Sequence, residues 1–505
     1  MNPNEDIPTD LIDLLSQELG GAVLYANDDF FASKDNLILP AEAVWKEDAY
    51  TDRGKWMDGW ESRRKRIEGH DYCFIKLALP GLIRKVIVDT AFFTGNYPDS
   101  CSLEGCVLGA NATPEALEKA DWFTLLEDSK LAGGSKNTFD LSYAGKVTHL
   151  RFNIFPDGGV ARLRAFGEVL PKLNRWKSLG QIDLASITHG AKTLSQSDMY
   201  FGLASNLLKP NRGVNMGDGW ETKRSRGAGH LDWCILELAA NGKIEYVQID
   251  TNHFKGNYPD RCSLEVATTL KGKETEWTMI LDEVKLQAHT LHEFEKELHE
   301  IDNIRFVRFK IFPDGGISRL RLFGKVSSQG WEEARLRDLK FVNQEGAKAY
   351  FSSACGSKKW VEGMVSAQQG DGFSSLESIQ KKAKEVFQSL EDKDWLEAFR
   401  SHPKIGGEKA EDKVSQNSSQ WSSKEQVGVE HAEEKTLSRL AELNQAYFEK
   451  HDFIFIVFAS GKSAGEMLEI LEERLNNETK TEIKNASIAQ EKITHTRLEK
   501  WIKGQ

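Results

Sequence analysis

The chain contains two copies of one sequence unit. DGWESRRKR (58–66) returns as DGWETKRSR (218–226), TGNYPDSCSLE (94–104) as KGNYPDRCSLE (255–265), and RFNIFPDGGVARLRAFG (151–167) as RFKIFPDGGISRLRLFG (308–324). The offsets are 160, 161 and 157 residues, and 28 of these 37 positions are identical. Segments this alike, in the same order, must fold alike. Residues from about 20 to 170 and about 195 to 326 are therefore two copies of one structural unit.

Each copy reads as β. YCFIKLAL (72–79), KVIVDTAFF (85–93), HLRFNIF (149–155) and RLRAFG (162–167) are short, rich in β-branched and aromatic residues, and bounded by Pro, Gly, Asn or Asp. PDGG (156–159 and 313–316) supplies the glycines of a tight turn between two such runs. Short strands with frequent turns predict an antiparallel sandwich or jelly roll in each copy. LHEFEKELHE (291–300) reads as a helix-like insertion that the first copy lacks.

After Val326 the period changes. LESIQKKAKEVFQSL (376–390) and the series Leu437, Leu440, Leu443, Tyr447 follow helical spacing, and 463–502 reads as two further amphipathic helices. The fold expected is two all-β sandwich domains, 1–180 and 181–333, followed by an all-α domain, 334–505.

Bulk properties narrow the function. A net charge of −11 over 505 residues argues against nucleic acid or an acidic membrane as partner, while leaving room for a local basic pocket. The start, MNPNEDIPTD, lacks the features of a signal peptide. The longest apolar run, 453–459, falls far short of the ~20 residues a bilayer requires. Six cysteines without a C-x-x-C pair predict a reducing, cytoplasmic setting.

The duplicated polar residues form a coherent inventory. Both copies carry Glu61/Glu221 and Arg64/Arg224, His70/His230, Asn96/Asn257 with Asp99/Asp260, and Arg162/Arg319 followed by Arg164/Arg321. Guanidinium grips a carboxylate bidentately, and Asn and carboxylates bind ureido groups, so an anionic urea-like substrate would suit this set. For any one residue, closing a strand end or bracing a turn is the simpler reading. A binding-only module is the rival class, with Trp60 and Trp220 as sugar-stacking platforms.

DGWE(S/T)xRxR, DTxxFxGNYPDxCSLE and IFPDGGxxRLR, duplicated in tandem over about 15–330, resemble allantoicase. The resemblance implies jelly-roll domains, a homo-oligomer, and hydrolysis of allantoate to ureidoglycolate and urea. For that reaction His70 and His230 are candidates for proton transfer and Glu61 and Glu221 for base or ureido acceptor. The arginines Arg64, Arg224, Arg162 and Arg319 would hold the carboxylate, with Asn96, Asn257, Asp99 and Asp260 lining the site. DTAFF (89–93) against DTNHF (250–254) leaves Asn252 and His253 without counterparts, which tilts the chemistry toward the second copy, His253 binding substrate. His289, His292 and His299 do not have zinc spacing, and no metal is predicted; a divalent ion held by other groups is left open.

In the helical part, His402-Pro403, Ser422-x-x-Glu425-Gln426, Asn444-x-x-Tyr447, the segment from His451, Arg474-Leu-x-Asn and Ile493-x-x-x-Arg497-Leu occur in order. Over about 337–502 this resembles 2-oxo-4-hydroxy-4-carboxy-5-ureidoimidazoline (OHCU) decarboxylase. Carried across, the resemblance makes His402, Glu425 and Arg497 catalytic. It gives substrate binding to Pro403, Ser422 and Gln426 and to the backbone of Phe455, Ile456, Val457, Phe458 and Ala459. Arg474 is the second choice for the arginine. The substrate's own C=N bond accepts the electrons released with carbon dioxide, so no cofactor is required. Both parts then act on small ureido acids from one pathway, on substrates too far apart in it for direct channelling.

Overall fold

The computed structural model describes residues 10–143, 145–402 and 434–505. It divides into two compact units, Met1–Gly330 and Trp331–Gln505.

The first unit holds the two copies, each an eight-stranded antiparallel arrangement with the same strand order. In the first copy the order is Ile12–Asp13, Arg162–Val169, Asp71–Asp89, Val147–Phe155, Ser100–Cys106, Phe123–Lys130. The sequence predicts separate strands at 72–79 and 85–93, whereas the structure has one continuous strand, Asp71–Asp89. Its first half pairs with Val147–Phe155 and Ala22–Ala26, and its second half with Arg162–Val169 and Lys136–Asp140. One strand thereby serves both layers of the sandwich. The turn-like Pro80-Gly81 lies within it: pairing with Arg162–Val169 runs through Gly81, which sits too close to the Glu168 carbonyl for any side chain. Asp232–Asp250 does the same in the second copy.

The segment 291–300 is not a helix and not an insertion. Leu291–Phe294 is a strand on Asp232–Asp250, equivalent to Lys136–Asp140 on Asp71–Asp89. Its Glu- and Leu-rich composition favours helix locally, but pairing to the open edge of the long strand prevails.

Each copy centres on buried aromatics, among them Trp60, Phe93 and Phe152 in the first and Trp220, Phe254 and Phe309 in the second. The Trp60 and Trp220 indoles donate to the carbonyls of Asp28 and Asp198, each at 2.8 Å. Both rings are fully buried, so neither offers the stacking platform of the binding-only reading. At the PDGG turns Gly158 and Gly315 have φ of 135° and 133°, open only to glycine.

The arginines after these turns are structural clasps. The five N–H groups of Arg162 go to Asp58 Oδ1 and Oδ2, the Asp58 and Ala161 carbonyls and the Ala41 carbonyl. Arg319 is matched to Asp218 Oδ2, Asn211 Oδ1 and the carbonyls of Asp218, Ser318 and Asn211. Both are buried, with no donor left for a substrate carboxylate. This corrects the binding role expected of Arg162 and Arg319. Arg164 and Arg321 likewise hold the carbonyls of Leu39 and Pro40, and of Lys209, Pro210 and Asn211.

The second unit is a bundle of helices, including Gln344–Ala354, Lys358–Gln369, Leu376–Phe387, Asp392–Arg400, Glu434–His451, Ala464–Arg474 and Thr479–Ile502. Trp360, Phe387, Trp395 and Phe399 stack in series through its core, with centroids 5.1–6.3 Å apart. Among the described residues no helix of the chain is long and apolar enough to cross a membrane.

Removing one member of a buried ion pair leaves the other charge uncompensated, at a cost of about 3–5 kcal/mol. Asp58→Ala is expected to lower the stability of the first unit by that order, measured by denaturant unfolding.

Candidate active sites

In the first unit the duplicated motifs meet at one end of each sandwich. The short strand carrying Glu61 pairs with Gly159–Val160 just after PDGG, and Glu221 pairs with Gly316 in the same way. The Asn96 and Asn257 carbonyls receive the N–H of Gly159 and Gly316, each at 2.8 Å. These bonds dock the GNYPD loop against the turn and bring Asn96 Nδ2 to 2.7 Å from Glu61 Oε1, and Asn257 Nδ2 to 2.5 Å from Glu221 Oε1. Asn Oδ1 and Glu Oε2 of each pair have no donor among the described residues, and both are acceptors of the type that ureido N–H groups require. Burial raises the Glu61 carboxyl above its ordinary range, opposed by the Asn96 bond.

The other predicted residues fall around this centre with differing freedom. Arg64 and Arg224 are exposed and have no protein partner among the described residues. His70 Nε2 lies 3.2 Å from Asn153 Oδ1, whose amide N–H groups are directed to Ser102 and Glu104. His230 Nε2 instead faces Asp232 Oδ2 at 3.3 Å. Asp99 is exposed, and Asp260 is engaged by Arg261 and Lys285, each at 3.2 Å.

His253 stands beside His289, which accepts the His253 backbone N–H on Nδ1 at 2.8 Å. His253 Nε2 is 2.9 Å from the Gly213 carbonyl, and Asn252 Nδ2 3.2 Å from the same oxygen. Arg212 Nη2 donates to Asn252 Oδ1 at 3.3 Å. The loop bearing Arg212 and Gly213 also places Met216 Sδ 3.8 Å from Asn257 Nδ2, linking this group to the Glu221–Asn257 pair. His292 and His299 lie apart in separate bonds, to the Gln287 N–H and Ile249 carbonyl and to Asp282. Among the described residues no group of three or more His, Cys, Asp or Glu converges as metal ligands would. Sequence alone does not single out Arg212 or His289, because the loop of Arg212 is shorter than its first-copy counterpart and His289 lies in a charged segment.

In the helical unit, Pro403, Ser422, Glu425 and Gln426 lie outside the described residues. His402 follows the helix Asp392–Arg400, and its Nε2 is 2.7 Å from Gln490 Oε1. Gln490 Nε2 donates to Thr494 Oγ1 at 3.1 Å, and that hydroxyl points to the Ala354 carbonyl at 3.5 Å. The amide is thus oriented with oxygen toward His402, so Nε2 carries the proton and Nδ1 is left as the basic nitrogen. Burial first, and the Arg497 guanidinium second, push His402 down to about 3. Gln490, Thr494 and Arg497 follow helical spacing on Thr479–Ile502, a signal the sequence carried unread.

Arg497 is buried, and its charge acts on His402. Arg474 pairs with the buried Glu482 at 2.8 Å and donates to the Ile456 carbonyl, and Tyr447 donates to the same carboxylate. It braces the bundle. Phe455 and Ile456 are buried in an extended segment continued by the half-buried Val457, Phe458 and Ala459. His451 ends its helix with Nδ1 3.1 Å from Thr479 Oγ1.

The allantoicase repeat model matches residues 12–170 and again 182–327, and the OHCU decarboxylase model matches 341–499. A probable allantoicase of Stutzerimonas stutzeri is 47% identical over 325 residues, 62% of this chain and 96% of that one. One from Photobacterium profundum is 46% identical over 323 residues, with 62% and 96% covered. The crystal structure of allantoicase from Saccharomyces cerevisiae aligns with a TM-score of 0.54 and 34% identity, covering 63% of this chain and 93% of that one. Fold and sites together define a multidomain enzyme acting on ureides. The chain belongs to the allantoicase family and carries an OHCU decarboxylase domain on the same polypeptide, making it a bifunctional enzyme of purine breakdown.

Because His402 binds its proton far below the ordinary 6.5, the unfolded chain takes up a proton that the folded unit refuses. Stability linked to His402 is therefore full above 6.5 and declines as pH falls toward 3. His402→Gln removes this linkage, and its unfolding midpoint should fall less steeply than that of the wild type over the same window.

Proposed function

We propose that the loop ends of the β repeats convert allantoate and water to (S)-ureidoglycolate and urea, and that the helical unit decarboxylates OHCU to (S)-allantoin without a cofactor. The functional parts divide near residue 333, into two repeats (1–180 and 181–333) and a decarboxylase (334–505). The observation that carries the second activity is the neutral His402 with its basic Nδ1 fixed by Gln490. With the substrate's carboxylate bound against Arg497, the charge that, after burial, depresses His402 is offset, and Nδ1 can then take the substrate's hydroxyl proton or return a proton to one face of the ring after carbon dioxide leaves. Arg497 supplies the positive charge that would hold a carboxylate. By the family resemblance, Pro403, Ser422, Glu425 and Gln426 would serve the ureido and lactam groups.

For the first activity the Glu–Asn acceptor pairs support ureido binding, and Arg64 and Arg224 are the predicted arginines still free to meet a carboxylate. The bond to be broken joins the central carbon to a ureido nitrogen, so the site must deliver water to carbon and a proton to the departing urea. His70 and His230 remain proposals for that proton, beside the His253 group. The partners proposed are these small ureido acids and further copies of the chain. A reducing, cytoplasmic setting agrees with six cysteines that are all buried and unpaired.

His402→Ala is expected to abolish carbon dioxide release from OHCU, a loss of at least about 100-fold, while urea release from allantoate stays at the wild-type rate. Both rates are read on the same purified chain, and loss of both would refute independent sites.

A further inference from the structure

The two copies can be matched residue by residue through their backbone bonds even where the sequences diverge. The carbonyls of Ala41 and Asn211 each accept from the clasp arginine at 2.8 Å. The N–H of Val44 and of Val214 each go to the clasp aspartate, at 2.9 and 3.2 Å. Glu42 and Arg212 therefore occupy the same place. Thr90 Oγ1 bonds to the Ala132 and Ser135 carbonyls, and Thr251 Oγ1 to those of Gln287 and Thr290, which sets Gly134 opposite His289. Both have left-handed backbone, φ 62° and 49°. Phe92 and His253 match at φ 68° and 72°, and Ala91 matches Asn252.

At four equivalent places the first copy thus has Glu, Ala, Phe and Gly, where the second has Arg, Asn, His and His. The ten extra residues of the first copy's loop bring Trp45 onto Phe92, with centroids 5.8 Å apart, and Lys136 pairs with Glu42 at 3.1 Å. In the second copy the loop is shorter; His253 is half-buried against its Gly213 carbonyl, and His289 is exposed. Its backbone is unfavourable for a non-glycine residue, a strain that recurs at functional sites.

We propose that the second copy alone carries the reactive pocket for the carboxylate-bearing diureide, built from Arg212, Asn252, His253 and His289, and that the first copy is inert because it carries Glu, Ala, Phe and Gly at the equivalent places, with Trp45 against Phe92. This rests on the allantoate reading above. Arg212 spends one of its five N–H groups on Asn252 and presents the rest to a carboxylate. The histidines are fixed as opposite tautomers. His253 donates from Nε2 to the Gly213 carbonyl and keeps Nδ1 as acceptor. His289 accepts on Nδ1 and keeps Nε2–H as donor. His253 Nδ1 takes a proton from water as its oxygen bonds to the central carbon, and returns it to the ureido nitrogen as the carbon–nitrogen bond breaks. His289 Nε2–H donates to the carbonyl of the departing urea. Water is consumed, urea leaves, and both imidazoles end neutral.

The test exchanges residues between copies in the full chain and follows urea release from allantoate. His253→Phe and His289→Gly install what the first copy carries at the same backbone angles, so folding is preserved; thermal unfolding checks it. Each is expected to lower kcat by at least about tenfold, and Arg212→Glu to raise KM by at least about tenfold. Trp45→Ala in the first copy is expected to leave kcat within twofold. Smaller effects in all three second-copy variants, or a tenfold fall in Trp45→Ala, would overturn the assignment. Should His253→Phe unfold, His289→Gly decides alone. A wild-type chain that releases no urea from allantoate would instead defeat the functional reading itself.

Discussion

The loop end of each β repeat is organised by a buried guanidinium. Arg162 and Arg319 project from the strand after PDGG and spend four of their five N–H groups on the loop before the Trp-Glu strand, the fifth going to the carbonyl of Ala161 or Ser318. A desolvated charge requires such complete matching, because an unsatisfied donor at this depth would cost more than the pairing returns. The clasp fixes a loop whose own regular bonding is confined to the short pair Tyr50–Thr51 with Gly54–Lys55 in the first copy and the 3-10 turn Met216–Asp218 in the second. That loop sets the position of Gly213, whose carbonyl in turn orients His253 and Asn252. The precision of the candidate pocket therefore derives from a contact outside it, and the same clasp recurs in the first copy, where Phe92 and Gly134 stand in place of the two histidines.

The helical unit solves a related problem with a neutral network. A histidine meant to act as a base must have one nitrogen committed and the other free. Gln490 achieves this only because Thr494 determines which way its amide faces, and Thr494 is itself aligned on the Ala354 carbonyl. Burial and the neighbouring Arg497 then keep the imidazole uncharged. The ion pair of Arg474 with Glu482, a few turns away, holds the extended segment containing Ile456 against the bundle.

What could be read from sequence depended on whether duplication preserved it. The Glu–Asn pair and the PDGG turn stood out because two copies carry them unchanged, and helical spacing exposed the bundle. Arg162 and Arg319 stood out equally, but residue type cannot distinguish an arginine that binds a carboxylate ligand from one that binds a buried aspartate. Arg212 was illegible for the opposite reason. Its loop is ten residues shorter than its counterpart, so Glu42 and Arg212 align only through backbone bonds. Leu291–Phe294 misled because an edge strand with one exposed and one only half-buried face tolerates the charged composition of a helix.

The strand Asp71–Asp89, like Asp232–Asp250, runs through both layers of its sandwich without a break. Two sheets stitched by a shared ribbon cannot slide past one another without tearing backbone bonds on both sides of the stitch. Shear, one of the ordinary ways a protein opens a crevice, is mechanically denied to these domains. Any opening at the loop end then falls to the connecting segments, above a scaffold whose two layers are tied together by backbone.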